Sequence, residues 1–234
     1  MSWVLADTHC RLEGWAGATV FTTTRRLKVS AAPADVAVLR AVTERCGEQP
    51  SIVLGMEQVH GGHVIVATDT RDAIIPACDG LVTDRTGVAL VMRSADCLPI
   101  IAYDPTRRLI GLAHAGWRGV KARLPAQLVM VLTRRCGSRP TDLRLAIGLG
   151  IGPCCYAVGP EFDPWFPGAL QVRAGQRFLD LAAAVRAQVA PFGIPVQAIE
   201  VAPWCTACTP AHCESYRRDG AGAGRLLTTV LLHP

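Results

Sequence analysis

Three short segments of the 234-residue chain combine a potential metal ligand with residues that restrict the backbone. His60 precedes a Gly-Gly pair, Cys97 precedes Leu-Pro, and His114 begins the segment HAGWRG. Each lies next to an apolar stretch that predicts a β-strand, so we expect the three side chains to converge at strand ends on one rim of a sheet. Two imidazoles and one thiolate suit zinc, whose catalytic sites keep a fourth position open for water or substrate.

Spacing alone does not select these three residues. The chain holds six histidines and ten cysteines, so chance combinations of potential ligands are numerous. His60 and His114 also fit as hydrogen-bonded residues at strand ends, and Cys97 fits as a core residue. Both interpretations are open when the residue pattern is considered by itself.

A second set of thiols lies near the C-terminus. Cys205, Cys208 and Cys213 form a C-x2-C-x4-C pattern that is typical of half a structural zinc site. His212 is the candidate for a fourth ligand, but adjacent histidine and cysteine residues rarely reach one ion, which counts against a second zinc. Two other cysteines precede glycine at the ends of predicted helices and are expected to be inert, namely Cys46 and Cys136.

Three further polar residues lie close to the candidate ligands. His63 follows His60 by three positions, an offset that places the two on opposite faces of a strand, so we expect His63 at the surface or the pocket edge. Asp96 directly precedes Cys97 and fits either a ligand-orienting carboxylate or an acidic cap of a strand. Glu57 and Asp96 are the acidic residues nearest to the ligands, and the sequence does not decide which of them carries a proton.

Three arginines are candidate ligands for an anion. Arg217 and Arg225 flank a glycine-rich segment, and Arg118 follows His114 by four positions at the start of a predicted helix. Guanidinium groups bind phosphate through paired hydrogen bonds, and a helix N-terminus favours anions. We therefore predict that at least one of these arginines binds phosphate, although glycine-rich turns near a C-terminus are also common without any function.

The predicted elements place these residues on a strand-rich scaffold. Helices are predicted at 33–46, 119–136 and 177–189. Strands are predicted at 52–54, 64–67, 81–83, 88–92, 99–103, 109–113, 143–149, 196–201 and 226–232. Four consecutive strands in the centre argue against a regular βαβ repeat. We predict an α+β fold, with mixed β-sheets flanked by helices in one domain spanning residues 1–234.

Composition excludes several classes of protein. Half of the residues are apolar and 18% are charged, so the chain can bury a core and is not disordered. The net charge of +5 without a long basic run suits a pocket for a small anion better than a nucleic-acid surface. We find no membrane-spanning stretch and no signal-peptide pattern, so we expect a cytoplasmic monomer or small homo-oligomer whose cysteines serve metal binding, catalysis or burial.

Seven segments in order along residues 50–232 resemble one known family. They are QVHG (58–61), DGLVT (79–83), ADCLP (95–99), HAGWRG (114–119), IG to GP (147–153), CYAVG (155–159), and SYRRDG followed by GR (215–225). Together they are similar to the multicopper polyphenol oxidase or laccase-domain (YfiH-like) family. HAGWRG and SYRRDG are the most specific of the segments.

The resemblance implies both a metal site and an activity. The family's zinc ligands, in QVHG, ADC and HAGW, map onto His60, Cys97 and His114, which would then also be the catalytic residues. The resemblance implies a zinc-dependent purine nucleoside phosphorylase with adenosine deaminase and methylthioadenosine phosphorylase activity. Its partners would be purine nucleosides and phosphate, and copper is the alternative metal.

The N-terminal segment 1–49 departs from the family pattern. Family members usually carry a Gly-Gly-Val-Ser segment after Thr-Thr-Arg, followed by a loop that contains Asn-Leu. Here Thr24-Arg25 is followed by RLKVS and then directly by a predicted helix. We therefore expect a shortened loop, which would alter substrate range or activity if that loop helps to build the pocket.

Three other functions compete with the phosphorylase. Type-1 copper also uses two histidines and one cysteine, but an oxygen-reducing copper cluster needs many more imidazoles. The remaining histidines are scattered along the chain, at His9, His63, His212 and His233. A cysteine hydrolase that edits cell-wall peptides would use Cys97 as nucleophile and His114 as base. The third alternative is a binding module without catalytic activity. Metal dependence and nucleoside turnover distinguish these three alternatives from the phosphorylase.

Overall fold

A computed structural model describes residues 1–234, which form three β-sheets with helices packed outside them. The strands are β1 (Ser2–Leu5), β2 (His9–Glu13), β3 (Ala18–Thr23), β4 (Ile52–Met56), β5 (Val64–Val66), β6 (Ala73–Ile75), β7 (Gly80–Thr83), β8 (Val88–Ser94), β9 (Leu98–Asp104), β10 (Leu109–Ala115), β11 (Arg144–Ile147), β12 (Ala157–Val158), β13 (Leu170–Arg173), β14 (Gln176–Leu179), β15 (Ile199–Val201) and β16 (Leu226–Leu232). The α-helices are α1 (Val36–Arg45), α2 (Trp117–Lys121), α3 (Leu124–Met130), α4 (Leu181–Val189) and α5 (Tyr216–Asp219). The predicted α+β class is confirmed.

The strands form two large sheets and one small sheet, and only the large sheets contain parallel as well as antiparallel pairs. The seven-stranded sheet has the order β1-β2-β3-β16-β8-β4-β6, the six-stranded sheet has the order β15-β11-β9-β10-β7-β5, and the small sheet has the order β12-β14-β13. Strand β4 pairs in parallel with β6 and β8, β5 pairs in parallel with β7, and β11 pairs in parallel with β15. The predicted mixture of strand orientations is therefore observed in both large sheets.

Alternating side chains of the central strands divide the core into layers. Leu90 of β8 and Ile101 of β9 point into the space between the two large sheets. On the opposite face of β8, Val91 packs with residues of α1, and on the opposite face of β9, Ile100 packs with residues of α2, α3 and α4. Both large sheets are covered on both faces, which explains why these strands are continuous apolar runs.

The long helix predicted over 119–136 is wrong. Helix α2 is followed by Arg123, whose left-handed φ is 63°, and α3 then begins at Leu124 with Pro125 near its start. Proline is accepted in the first turn of a helix but disrupts a helix interior, so the chain divides the predicted helix at this point. After α3 the chain continues as a π-helical segment over Val131–Arg135.

The helix predicted over 177–189 and the strand predicted over 196–201 are each correct in their second part only. Residues 176–179 form β14, and α4 begins after Asp180, whose carboxylate accepts the Ala183 N–H at 2.9 Å and caps the helix. Residues 196–198 form a 3-10 turn before β15. In both cases the local backbone bonds set a boundary that the apolar pattern does not show.

The N-terminal segment contains strands that the sequence analysis did not predict. Strands β1, β2 and β3 form an antiparallel edge of the large sheet, and β3 pairs with the C-terminal strand β16. A 3-10 turn at Arg25–Leu27 and an isolated bridge between Val29 and Arg225 precede α1. Helix α1 begins at Val36, three residues after the start of the helix predicted over 33–46. No helix combines the length and apolar character needed to cross a membrane.

Candidate metal centre and substrate cavity

The structure brings His60, Cys97 and His114 together. Their ligand atoms all lie within 4.8 Å of one another, and the two imidazole rings meet edge to face with centroids 4.7 Å apart. His114 lies near the end of β10, and Cys97 occupies the turn between β8 and β9. His60 lies in the loop between β4 and β5, so the expectation that it ends a strand is wrong although its convergence with the other two is observed.

The close approach of the three residues depends on backbone features nearby. A Cβ atom at Gly116 would lie 2.7 Å from the Cys97 sulfur and 3.5 Å from Cδ2 of His60, so only glycine leaves room for this contact. His60 itself has a left-handed φ of 60°. The Asp79 carboxylate stabilises this turn, because it accepts the N–H groups of His60 at 2.9 Å and Gly61 at 2.6 Å.

Asp79 is a residue of the candidate site that was not predicted from the sequence. It is fully buried, and its Oδ1 lies 3.0 Å from Nδ1 of His114. Because Asp79 accepts the proton of Nδ1, it fixes the orientation of the ring and directs Nε2 toward Cys97. The residue precedes β7, and the pairing of Gly80 with Ala113 of β10 brings it beside His114. Its only sequence signal was its position at the start of DGLVT.

Hydrogen bonds determine which protonation states of Cys97 and His114 are favoured. Burial opposes ionisation of the Cys97 thiol, but hydrogen bonds with His114 and His60 outweigh burial and lower its pKa to about 6. Burial also disfavours the charged form of His114, yet its hydrogen bonds with Asp79 and Cys97 raise its pKa to about 9. The surroundings therefore favour the thiolate of Cys97, which is the form of cysteine that binds metal ions.

A cavity of about 990 Å³ lies next to the three residues. Arg118, Arg217 and Arg225, which were predicted to bind an anion, all line this cavity. The guanidinium of Arg118 lies 4.4 Å from the centre of the Trp117 ring, and that of Arg217 lies 5.0 Å from the centre of the Tyr156 ring. The helix that begins beside Arg118 is the five-residue α2 and not the long helix that was expected, so the arginine side chains themselves are the candidate anion ligands.

Arg93 is a fourth arginine on the cavity wall, and the sequence analysis did not single it out. It lies near Arg225 because Leu226 of β16 pairs with Ser94 of β8. Burial and the nearby charge of Arg225 both lower the pKa of Arg93. Nε of Arg93 and Oγ of Ser94 are buried without a hydrogen-bond partner. An anion between the two guanidinium groups would neutralise their repulsion and satisfy these atoms.

The two acidic residues near the ligands differ in their contacts. Asp96, which has a left-handed φ of 88°, accepts the Thr206 hydroxyl at 2.6 Å with Oδ1 and the Arg217 N–H at 2.6 Å with Oδ2. Both carboxylate oxygens of Asp96 are therefore engaged in hydrogen bonds within the protein. Glu57 lines the cavity, and one of its carboxylate oxygens accepts the Ala77 N–H at 3.1 Å. The other carboxylate oxygen of Glu57 accepts no hydrogen bond within the protein.

Two other sequence interpretations need correction. His63 is exposed, as expected, but it lies in the same loop as His60, so the argument from opposite faces of a strand is wrong. Cys213 is buried in the core between the large sheets. Cys205 and Cys208 instead lie beside another pair of cysteines, so the C-x2-C-x4-C ligand set is wrong in its third member.

Comparisons with known proteins identify relatives in sequence and fold. The sequence profile of a family described as multi-copper polyphenol oxidoreductase laccase matches residues 9–233. Purine nucleoside phosphorylase YlmD of Geobacillus stearothermophilus is 37% identical over 191 residues, which are 74% of this chain and 70% of that protein. Adenosine deaminase RL5 of an unknown prokaryotic organism is 31% identical over 171 residues, 69% of this chain and 65% of that protein. The crystal structure of YlmD from Geobacillus stearothermophilus matches with a TM-score of 0.89 at 30% identity, covering 99% of this chain and 98% of that one.

Proposed function

The chain belongs to the multi-copper polyphenol oxidoreductase laccase family, and from this premise we propose that it is a zinc-dependent purine nucleoside phosphorylase that also deaminates adenosine. One observation carries the proposal, namely that a donor set of two histidines and one cysteine shares a cavity with four arginines. A cavity of this kind can hold an anion and a nucleoside beside a metal ion.

The donor set fits zinc. Two imidazoles and one thiolate form a three-residue set that leaves a fourth position for water or substrate. Asp79 supports His114 in the manner of the carboxylates that orient metal-bound histidines. When bound by His60, Cys97 and His114, zinc would supply Lewis-acid activation of water or of a substrate oxygen.

The same donor set argues against multicopper oxidase chemistry, despite the description of the family. A cluster that reduces oxygen needs many imidazoles, whereas the group at Cys97 is the only close group of potential ligands that contains histidine. The four other histidines join no such group. A single copper ion can use two histidines and a cysteine, so copper is the competing metal, and phenol oxidation by copper-loaded protein is its test.

The arginines support phosphate binding. In phosphorolysis a phosphate oxygen bonds to the anomeric carbon of the ribose while the bond from that carbon to the purine nitrogen breaks. We assign Arg93 and Arg225 to the phosphate, because their charges lie close together and Arg93 retains an unpaired buried N–H. Charge-assisted hydrogen bonds would hold the phosphate against the sugar in the geometry of attack. Arg118 and Arg217 are exposed and lie at the cavity rim.

Other residues of the cavity wall suit the nucleoside. Tyr216 is an aromatic residue of the cavity wall with 58% of its surface exposed, so its ring offers a face on which a purine can stack. The purine leaves with a proton, and the unengaged oxygen of Glu57 is the acid–base group that we assign to this transfer. Asp96 is not assigned to it, because both of its oxygens already accept hydrogen bonds.

Product analysis tests the proposed function directly. Zinc-replete protein is incubated with adenosine, inosine or methylthioadenosine, with and without phosphate, and the products are separated by chromatography. We expect phosphate-dependent release of adenine, hypoxanthine and methylthioribose 1-phosphate, and phosphate-independent formation of inosine and ammonia from adenosine. If fully zinc-loaded protein converts none of these nucleosides, the proposal fails and a binding module becomes the better interpretation.

One observation favours a second function. Cys97, His114 and Asp79 form a chain of hydrogen bonds in the order nucleophile, base and orienting carboxylate, as in a cysteine hydrolase. A chelator distinguishes the two functions. Hydrolysis of cell-wall peptides by the thiolate would continue after zinc removal, whereas the proposed nucleoside activities would stop.

A further inference from the structure

Four cysteines outside the cavity converge near the surface, and we call them the four-cysteine cluster: Cys154, Cys155, Cys205 and Cys208. Their sulfur atoms all lie within 4.8 Å of one another, with 3.3 Å between Cys154 and Cys208 and 3.0 Å between Cys155 and Cys208. A tetrahedral zinc site with metal–sulfur distances of about 2.3 Å requires sulfur–sulfur distances of about 3.8 Å. The cluster is therefore within small side-chain rotations of a complete ligand set.

The fold places the two cysteine pairs together. Strands β11 and β15 are parallel neighbours, so the segments after their carboxyl ends leave the sheet at the same edge. Cys154 and Cys155 lie in the segment after β11, and Cys205 and Cys208 lie in the loop after β15. Gly150 and Cys205 then form an isolated parallel bridge, which joins the two segments directly. The convergence of the thiols follows from backbone pairing.

Backbone N–H groups surround the sulfur of Cys205. The Gly152 N–H donates to this sulfur at 3.2 Å, and the N–H groups of Ala207 and Cys208 also donate to it. Several N–H donors on one sulfur stabilise a thiolate and fix its direction, as hydrogen bonds to metal-bound ligands do. A buried cysteine that serves only as an apolar residue does not need this arrangement.

We propose that the four-cysteine cluster binds one zinc ion as a closed tetrathiolate site, separate from the centre at Cys97. The protein fills all four positions, so the site has no open position for water or substrate and its role is structural. The ion would fasten the loop that carries Thr206, whose hydroxyl donates to Asp96 beside Cys97. The proposal does not depend on the nucleoside activity.

Metal counting tests the proposal. Protein purified under reducing conditions and supplied with zinc is freed of unbound metal, and zinc per chain is measured by mass spectrometry of the elements. We expect two ions in the unaltered protein and one in a Cys154→Ser/Cys208→Ser variant. The matched control is Cys136→Ser, which removes a half-buried thiol outside both sites and should retain two ions.

Cobalt spectra assign the ions to their sites, and the spectrum of the unaltered protein tests the cluster without relying on the folding of any variant. Unaltered protein titrated with cobalt should show the intense charge-transfer absorption of a tetrathiolate site. Cys97→Ser should retain that absorption, and Cys208→Ser should lose most of it. One zinc per chain in the unaltered protein with no tetrathiolate absorption would overturn the proposal. A Cys155–Cys208 disulfide, detected by peptide mapping of the zinc-supplied protein, would overturn it as well.

Discussion

The centre at Cys97 and the four-cysteine cluster use the same sulfur donor in opposite surroundings. Cys97 lies beside two imidazoles and a cavity of about 990 Å³ whose wall carries arginines and aromatic rings. The cluster contains only thiols and borders a smaller cavity of about 320 Å³. A three-residue site that faces a large cavity suits chemistry, whereas a closed four-thiol site suits structure. The surroundings of a cysteine therefore decide its role.

The two sites also differ in how the chain assembles them. The centre at Cys97 takes its ligands from three separate segments, and the buried carboxylate of Asp79 holds two of these segments in place. The cluster takes two cysteines from each of two neighbouring segments that the backbone already pairs. The centre should therefore respond strongly to loss of one supporting side chain, and the cluster should respond mainly to loss of its own thiols.

The largest expected effect comes from Cys97→Ser. A hydroxyl ionises poorly and is a much weaker zinc ligand than a thiolate, so zinc affinity should fall sharply. We expect kcat/KM for nucleosides to fall by more than roughly 100-fold, which exceeds the usual effect of losing a supporting residue. Turnover and zinc per chain are measured on the same preparation, and one ion should be lost together with activity.

The outcome of Cys97→Ser also separates the two proposed functions. A variant that retains the zinc of this centre but has no turnover would support a nucleophilic role for Cys97. Cys136→Ser is the matched control, since it removes one thiol without touching either site, and it should keep both activity and zinc. If that control also loses activity, the effect of Cys97→Ser reflects folding in general.

Asp79→Asn tests whether the centre depends on a supporting residue. Asparagine keeps only one of the two oxygens that accept the N–H groups of His60 and Gly61, and it removes the charge that stabilises His114. We expect zinc affinity or activity to fall by about 10- to 100-fold. Competition with a chromogenic chelator measures the affinity, and circular dichroism checks the fold. Equal weakening of zinc at the four-cysteine cluster would contradict the difference that we infer between the two sites.

The two sites were predictable from the sequence to different extents, because the chain assembles them in different ways. The three ligands at the centre lie in specific short motifs, so the resemblance to a family selected them from many chance combinations. Asp79 was missed because its contact with His114 arises only from the pairing of β7 with β10. Arg93 was missed for the same kind of reason, since the pairing of β16 with β8 brings it near Arg225.

Only two of the four cysteines in the four-cysteine cluster could be predicted from the sequence. The C-x2-C spacing identified Cys205 and Cys208, but the second pair lies about 50 residues earlier and meets them through the parallel pairing of β11 and β15. Sequence proximity favoured Cys213 in its place, whereas that residue is buried in the core. The element types of the central sheets were predictable because their strands are continuous apolar runs, while the short N-terminal strands carry a weaker pattern.

Arg225→Gln tests the chemistry that the cavity adds to the centre at Cys97. Loss of one charge-assisted hydrogen bond costs about 1.5–3 kcal/mol, so the KM for phosphate should rise by roughly 10-fold or more. The KM for nucleoside should change less, and deamination, which consumes no phosphate, should largely survive. Arg118→Gln should have a smaller effect, because Arg118 is exposed and stacks on Trp117.

Arg139→Gln is the control for the arginine series, because Arg139 pairs with Asp142 on the surface and does not line the cavity. Steady-state kinetics with varied phosphate and varied nucleoside measure both constants for each variant. Equal loss of phosphorolysis and deamination in Arg225→Gln would indicate a structural role for the arginine. Unchanged kinetics would remove Arg225 from the phosphate site.

The smallest expected effect comes from Thr206→Val, which breaks the link between the two sites. Valine keeps the shape of threonine but cannot donate the 2.6 Å hydrogen bond to Asp96, so one buried carboxylate oxygen loses its partner. Such a loss costs about 1–3 kcal/mol in the free energy of unfolding. Because Asp96 also accepts the Arg217 N–H and precedes Cys97, we expect a change in KM of only a few-fold, on the order of 1 kcal/mol.

Denaturant unfolding measures the change in stability, and steady-state kinetics measure the change in KM. The control is Thr133→Val, which loses only a hydroxyl bonded to its own helix. A loss of activity as large as that of Asp79→Asn would mean that the two sites form one energetic unit, whereas no change in stability or KM would mean that the hydrogen bond does not couple them.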